Sequence, residues 1–374
     1  MKELFTKKHK FYRLNKIDET GAHYRIIFGE RSNGKTYAVK ERILENYAKD
    51  RSQGALIRRW YDDFKGNRGQ TMFEDMISTG VVERLFGGEY NTIIYRSRQW
   101  FLALREKNEI VAVSETPFCY GFALTGMEHD KSTSYPNIRT VLFDEFITRS
   151  FYLPDEFVIF VNVLSTIIRV RDDVVIYMCG NTVNKYLCPY FTEMGLSNVK
   201  KMEQNTIDVY KYGESNLTVA VEYCGTSQRN SKPSDVYFAF NNPKLEMIKT
   251  GAWELSIYPH CPCKYLPKDV VFSYFLEFEE TLLQCDIVSH ETFAFTFIHR
   301  KTTPIKDENK DIIYRPIFTP QPNIHRNIIA GNTAFDRKAY SFFINRQVYY
   351  QDNEVGEIVR SYLMFCKQDG LISS

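Results

Sequence analysis

The stretch Gly29-Glu30-Arg31-Ser32-Asn33-Gly34-Lys35-Thr36 satisfies G-x-x-x-x-G-K-[ST] at every fixed position. Each fixed residue type has a chemical reason. The two glycines let backbone N–H groups turn inward around phosphate oxygens. Lys35 reaches the β- and γ-phosphates, and the Thr36 hydroxyl holds Mg²⁺. Arg31, inside the loop, is a further phosphate contact. Downstream, Thr140-Val141-Leu142-Phe143-Asp144-Glu145-Phe146 is an apolar run closed by two acids. Asp144 at a strand end would complete the Mg²⁺ shell. Glu145 would act as the general base that polarises an attacking water. The adjacent Asp-Glu pair favours ATP hydrolysis over a GTPase or a small-molecule kinase.

Other candidates lie around this pair. Val174–Cys179 is an apolar run followed by Gly180-Asn181. Asn181 reads as a sensor of the γ-phosphate or the lytic water, or else as half of a Gly-Asn turn. Arg169 and Arg171 end the preceding helical stretch. They fit arginine fingers aimed at a neighbouring subunit's phosphates, or charges complementing a helix C-terminus. Arg58 and Arg59 follow the run Ala55–Ile57. They read as nucleotide or DNA contacts, or as a surface ion pair. The group His260-Cys261-Pro262-Cys263 has zinc-ligand residue types but lacks a second pair at metal spacing.

These residues need elements to hold them. Tyr24–Phe28 reads as a strand entering the loop, and Tyr37–Leu44 as a helix leaving it. Further strands are expected at Thr92–Tyr95, Trp100–Leu104, Ile110–Val113, Thr140–Phe143 and Thr218–Tyr223, with a helix over Glu156–Val170. Strands alternating with helices predict an α/β fold with a mostly parallel sheet. Arg105–Glu109 reads as a hairpin turn. The polar stretch Gly225–Asp235 breaks the pattern, and Val236–Thr250 reads as a short helix around Pro243. Beyond it the chain becomes β-rich, at Val270–Phe278, Thr281–Val288 and Thr292–His299. Asp307–Lys310 reads as a turn, and helices Ala339–Arg346 and Glu354–Lys367 close the chain. The resulting division is 1–224, a connecting segment 225–252, and 253–374.

The chain has 374 residues, 44% hydrophobic and 25% charged, with a net charge of +2. That length suits two domains. The near-neutral balance means any nucleic-acid surface must come from local clusters of basic residues. No apolar run is long enough to span a bilayer, so no membrane partner is expected. The N-terminus is basic but lacks the apolar core of a signal peptide. Eight scattered cysteines suit free thiols in a reducing compartment.

Gly29–Thr36, the gapless stretch Lys131–Phe146 with its Lys-Ser-x-x-Tyr-Pro-Asn lead-in, and Arg169 followed by Asn181 resemble the DNA-packaging (encapsidation) ATPases of phi29-type short-tailed phages. The resemblance covers residues 20–225. It implies an ASCE-type P-loop ATPase domain using ATP and Mg²⁺, with Lys35, Thr36, Asp144 and Glu145 at the nucleotide. It places Arg169 as a trans-acting arginine finger and Lys131 as a basic residue of the subunit interface. It implies a smaller, RNase H-like, vestigial nuclease domain at the C-terminus. It further implies a homomeric, pentameric ring docked in the host cytoplasm on the procapsid portal (connector) through a structured packaging RNA. That ring drives double-stranded viral DNA inward and is absent from the mature virion.

Glu277, Glu279, Glu280, Asp286 and Asp307 form no evident two-metal nuclease motif. Basic residues from His299 to Arg346, interleaved with Tyr and Phe, suit phosphate contacts. Two other readings stand beside the motor: a terminase-like enzyme with an active metal-dependent nuclease, and a nucleotide-gated assembly factor that does not turn ATP over.

Overall fold

In the computed structural model the apolar runs assemble into two sheets. Residues 12–372 are described, apart from 30–32, 130–132, 149–151, 182–187, 214, 226–257, 262, 279–280, 291–292 and 317–320. Glu30, Arg31, Ser32, Lys131, Glu279 and Glu280 therefore lie outside the described residues, as does the expected helix Val236–Thr250. The chain forms two compact units, Met1–Asn241 and Asn242–Ser374.

The first unit holds ten strands. They are β1 (Tyr24–Gly29), β2 (Gln53–Arg58), β3 (Thr92–Arg96), β4 (Gln99–Glu106), β5 (Glu109–Val113), β6 (Cys119–Ala123), β7 (Ile138–Asp144), β8 (Val175–Asn181), β9 (Thr206–Lys211) and β10 (Thr218–Cys224). Their order is β3-β4-β6-β2-β7-β8-β1-β10-β9, with β5 on β4. The six strands from β6 to β10 in this order are mutually parallel. The antiparallel strands β3, β4 and β5 extend one edge and β9 the other.

Both faces of the parallel core are covered. Helix α1 (Lys35–Asp50) packs Val39, Ile43 and Leu44 against one face. Helix α2 (Glu156–Ile168) packs Phe160, Val163, Leu164 and Ile167 against the other. A parallel sheet buried on both sides explains why its strands read as continuous apolar runs.

Two strands were not anticipated. β6 carries Gly121 in its middle, and a Cβ there would lie 2.7 Å from the Phe64 ring. This glycine serves close packing, whereas in sequence it interrupts a strand signal. β9 is an edge strand with exposed positions that dilute the pattern. Helix α2 ends at Ile168, earlier than expected, because Arg169 takes φ 54°. The hairpin over 105–109 is present, with Lys107 and Asn108 both at positive φ in its turn.

The second unit holds β11 (Val270–Phe278), β12 (Thr281–His290), β13 (Phe293–Arg300), β14 (Ile313–Tyr314), β15 (Ile324–His325) and β16 (Val348–Tyr350). Their order is β15-β14-β11-β12-β13-β16. The three long strands are antiparallel, and β14 and β15 extend them in parallel on one side. Helices α3 (Ala334–Ile344) and α4 (Asn353–Ile372) cover one face, through ring contacts such as Tyr274–Phe335 and Phe278–Tyr362.

Candidate nucleotide site

The site is assembled at the carboxyl ends of β1, β7, β8 and β2, the edge where open α/β sheets bind ligands. β1 runs into the phosphate loop, and Gly34 at φ 97° caps α1 in a conformation that favours glycine. Lys35 is the first residue of α1, with its ammonium turned back toward the loop. Its Nζ donates to the Gly29 carbonyl at 3.2 Å and lies 3.5 Å from Asn181 Oδ1. The Thr36 hydroxyl donates to Asp144 Oδ1 at 2.6 Å. A cavity of about 180 Å³ is lined by Lys35, Thr36, Asp144, Glu145, Cys179, Gly180 and Asn181. Motifs separated by more than a hundred residues therefore meet because β1, β8 and β7 are adjacent and parallel.

Arg58 closes the site from β2, the strand on the other side of β7. Its Nη1 donates to Asp144 Oδ2 at 2.8 Å, its Nη2 to Glu145 Oε2 at 2.9 Å, and its Nε to Asp63 Oδ2 at 3.2 Å. Burial opposes the Arg58 charge, but Asp144, Glu145 and Asp63 outweigh it and raise its pKa above the ordinary guanidinium value. Glu145 itself adopts φ 58°, a left-handed backbone rare outside glycine. Its side chain is 60% exposed, so the Arg58 contact is the one protein bond described for its carboxylate among the described residues.

The loop is braced from behind. Asn33 Nδ2 donates to Cys224 Sγ at 2.9 Å, its Oδ1 accepts from the Lys35 amide at 3.3 Å, and its backbone carbonyl accepts from Tyr12 N at 2.9 Å. A Cβ on Gly29 would strike the Cys224 thiol and carbonyl, so packing by itself requires the loop's first glycine. Burial pushes the Cys179 and Cys224 thiols up, which leaves both uncharged beside the loop.

The remaining candidates separate. Helix α2 leads away from the site, and 13 residues span about 20 Å. At its far end Arg169 Nη2 donates to the Thr133 carbonyl at 3.1 Å. Arg171 donates to the carbonyls of Pro136, Ile138, Tyr135, Ile167 and Ile168. Ile138 opens β7, so both arginines stand at the amino ends of the strands, opposite the cavity. The Arg171 fork is occupied by its own chain, and burial followed by the neighbouring Arg139 lowers its pKa. That geometry fits the helix-terminus reading for Arg171 better than the finger reading. Arg59 is neither a surface pair nor a nucleic-acid contact, because it is 6% exposed and pairs with the fully buried Glu156.

In the second unit, no group of three or more His, Cys, Asp or Glu is placed to hold a metal among the described residues. Arg315, just after β14, has its Nη2 3.4 Å from Glu277 Oε2 of β11.

Sequence reasoning left Arg58 open, took Asn33 as part of the phosphate loop, and did not see Cys224 or Glu156 as parts of the site. The available signal for Arg58 was its position as the last residue of a strand ending level with Asp144.

A family model described as Podovirus DNA encapsidation protein (Gp16) matches residues 6–223. The chain is 27% identical over 181 residues to a DNA packaging protein of Bacillus phage B103, covering 46% of this chain and 47% of that protein. It is 24% identical over 187 residues to the DNA packaging protein of Bacillus phage phi29, covering 49% of this chain and 50% of that protein. The chain thus spans about half the length of the curated relatives it matches. Among solved structures, the bacteriophage Phi-29 viral genome packaging motor assembly aligns with TM-score 0.53 at 17% identity, over 95% of this chain and 100% of that one. The Phi-28 gp11 DNA packaging motor aligns with TM-score 0.50 at 18% identity, over 96% and 98%. At these identities the structural likeness is one of fold.

Proposed function

The chain belongs to the podovirus DNA encapsidation protein (Gp16) family, and from that premise we propose that it is the ATP-hydrolysing subunit of a phage DNA-packaging motor. The observation that carries the proposal is the convergence of Lys35, Thr36, Asp144, Glu145 and Asn181 on one cavity at the carboxyl edge of a parallel sheet. Residues 29–36 cradle the phosphates, with Lys35 on the β/γ oxygens. Thr36 and Asp144 present two adjacent hard oxygen donors, 2.6 Å apart, a donor set that suits Mg²⁺. When bound there, Mg²⁺ supplies charge neutralisation on the phosphates. Glu145 accepts the proton of the attacking water, and Asn181 bonds the γ-phosphate or that water.

In the arrangement described here Arg58 holds the Glu145 carboxylate. Arg58 Nη2 occupies the carboxylate oxygen that would take the water's proton, so the pair must part before Glu145 acts. Duplex DNA is the proposed trigger. Arg169 cannot serve its own cavity from the opposite edge of the sheet, which supports its assignment to the nucleotide of a neighbouring copy in a homomeric ring. Its positive φ, costly outside glycine, is of the kind retained at functional positions. The ring, proposed as pentameric, would sit on the procapsid portal and its packaging RNA, in the host cytoplasm. Lys131 belongs to the same proposed interface. The second unit is proposed to contact nucleic acid without cutting it.

Steady-state ATP turnover with and without linear duplex DNA tests the reading. Turnover stimulated by DNA, and lost in Glu145→Gln while nucleotide still binds, is expected. A Glu145→Gln protein with parental turnover would remove Glu145 from the role of base.

A further inference from the structure

Two consecutive arginines at the end of β2 point to opposite sides, as neighbours on a strand must. Arg58 faces the cavity. Arg59 enters the core and meets Glu156, the first residue of α2. The pair is bidentate: Nε to Oε2 and Nη2 to Oε1, each at 2.8 Å. Glu156 is completed by the Tyr190 hydroxyl at 2.7 Å and the Leu153 amide at 2.8 Å. The guanidinium also lies over the Tyr152 ring, 5.2 Å from its centroid.

The informative bonds are the other two. Arg59 Nη1 donates to the Glu145 carbonyl at 3.2 Å, and Nη2 to the Phe146 carbonyl at 2.8 Å. These are the two carbonyls that follow Asp144. A buried ion pair is seldom the most stabilising filling for a core, since apolar residues of similar volume do as well or better. What an apolar side chain cannot do is hold two successive carbonyls in fixed directions. The residue so held, Glu145, has the left-handed backbone and a largely exposed side chain.

We infer that Arg59, oriented by Glu156, is a positioning residue for ATP hydrolysis: it fixes the main chain of Glu145 and thereby aims the general base. The inference rests on the reading of Glu145 as that base. Arg58 sets where the carboxylate rests, and Arg59 sets the backbone from which it swings. Lysine does not reproduce Arg59, because one ammonium with three donors lacks the planar fork that bonds both Glu156 oxygens and two carbonyls.

The test uses the full chain with Arg59→Lys, Glu156→Gln, Glu145→Gln and the double variant Arg59→Lys/Glu145→Gln. Turnover at saturating ATP with duplex DNA, KM for ATP and a thermal unfolding curve are measured for each. Arg59→Lys and Glu156→Gln are expected to stay folded at the assay temperature and keep KM within about twofold. Their kcat should fall about 10- to 100-fold, the scale of a slightly misplaced catalytic group. The double variant should be no slower than Glu145→Gln alone, because Arg59 acts through Glu145. Parental kcat in both single variants overturns the inference. So does a further, multiplicative loss in the double variant. Loss of folding or of nucleotide binding together with turnover makes the pair a plain core contact and also overturns it. Undiminished turnover in Glu145→Gln removes the base itself, a failure distinguishable from that of Arg59.

Discussion

The two sheets treat their charged residues in opposite ways. In the first unit, charged groups from the start of α1 and the ends of β7 and β2 meet at one open cavity, and Asp144 and Glu145 share a single arginine. In the second unit Asp286, Asp336 and Glu277 are settled separately. Asp286 accepts from Ser273 and Gln284 and pairs with His299. Asp336 accepts from Tyr314 and the Thr333 amide and pairs with His325. Glu277 faces Arg315. Two carboxylates held by one movable partner can be released to do chemistry, whereas acids each enclosed by fixed donors hold structure. Similar residue types thus line an open cavity in one sheet and are enclosed by donors in the other.

The contrast can be broken most sharply at Arg169. Arg169→Ala should lower turnover of the homomeric assembly about 10³-fold or more, the range for arginine fingers. Mixing with wild-type subunits should restore turnover at the variant subunits' own sites. If mixing restores nothing, the finger does not act between copies.

Asp336→Ala probes the cohesive side. It leaves Tyr314 and His325 without their buried acceptor and removes the capping box of α3. A loss of about 2–4 kcal/mol in the second unit's unfolding free energy is expected, with ATP turnover per folded molecule unchanged. A loss below about 0.5 kcal/mol in denaturant titration would mean the network does not hold that unit together.

Arg58→Ala sharpens the comparison from the catalytic side. With Glu145 no longer held, the ratio of DNA-stimulated to basal turnover should fall about tenfold, the worth of one charge-assisted hydrogen bond. A ratio equal to the parent's would show that Arg58 plays no part in gating.

A smaller effect is expected from pH. The hydrogen bond that His299 donates to Asp286 raises the His299 pKa. Burial works to raise that of Asp286, but bonds from His299, Gln284 and Ser273 outweigh it and leave it lowered. The His299 contribution is therefore complete below about pH 6.5 and is lost as pH rises through its higher folded value. The Asp286 contribution is present above about pH 4 and is lost as pH falls. The second unit should melt about 1–3 °C higher at pH 6 than at pH 8.5, and His299→Gln should erase the difference.

The last expectation is an absence. Supercoiled plasmid incubated with the chain and Mn²⁺ should stay intact. Nicking that disappears in Asp286→Asn would return the second sheet to the catalytic class.

Much of this was legible before the fold. The phosphate loop and the Asp144-Glu145 strand end are local signals, because a turn that wraps phosphate and a strand that ends in acid are specified by neighbours in sequence. The parallel strands between them were legible as apolar runs. Gly121 concealed β6, since a glycine needed for packing resembles a break. Arg58 and Arg59 were indistinguishable, because adjacent residues of the same type differ only in the side of the sheet they face.

The sequence by itself determined the residue types on which the proposed chemistry rests, at the loop and at the Asp144-Glu145 strand end, and an α/β frame to carry them. Only the tertiary structure decided the assignments. It placed Arg58 on the Glu145 carboxylate and Arg59 beneath it, sent Arg169 to the far edge of the sheet, and tied Arg171 to its own carbonyls. The reason is physical. Local spacing sets what a residue can bond, whereas strand order and strand direction, which no local pattern encodes, set what lies within 3 Å of it.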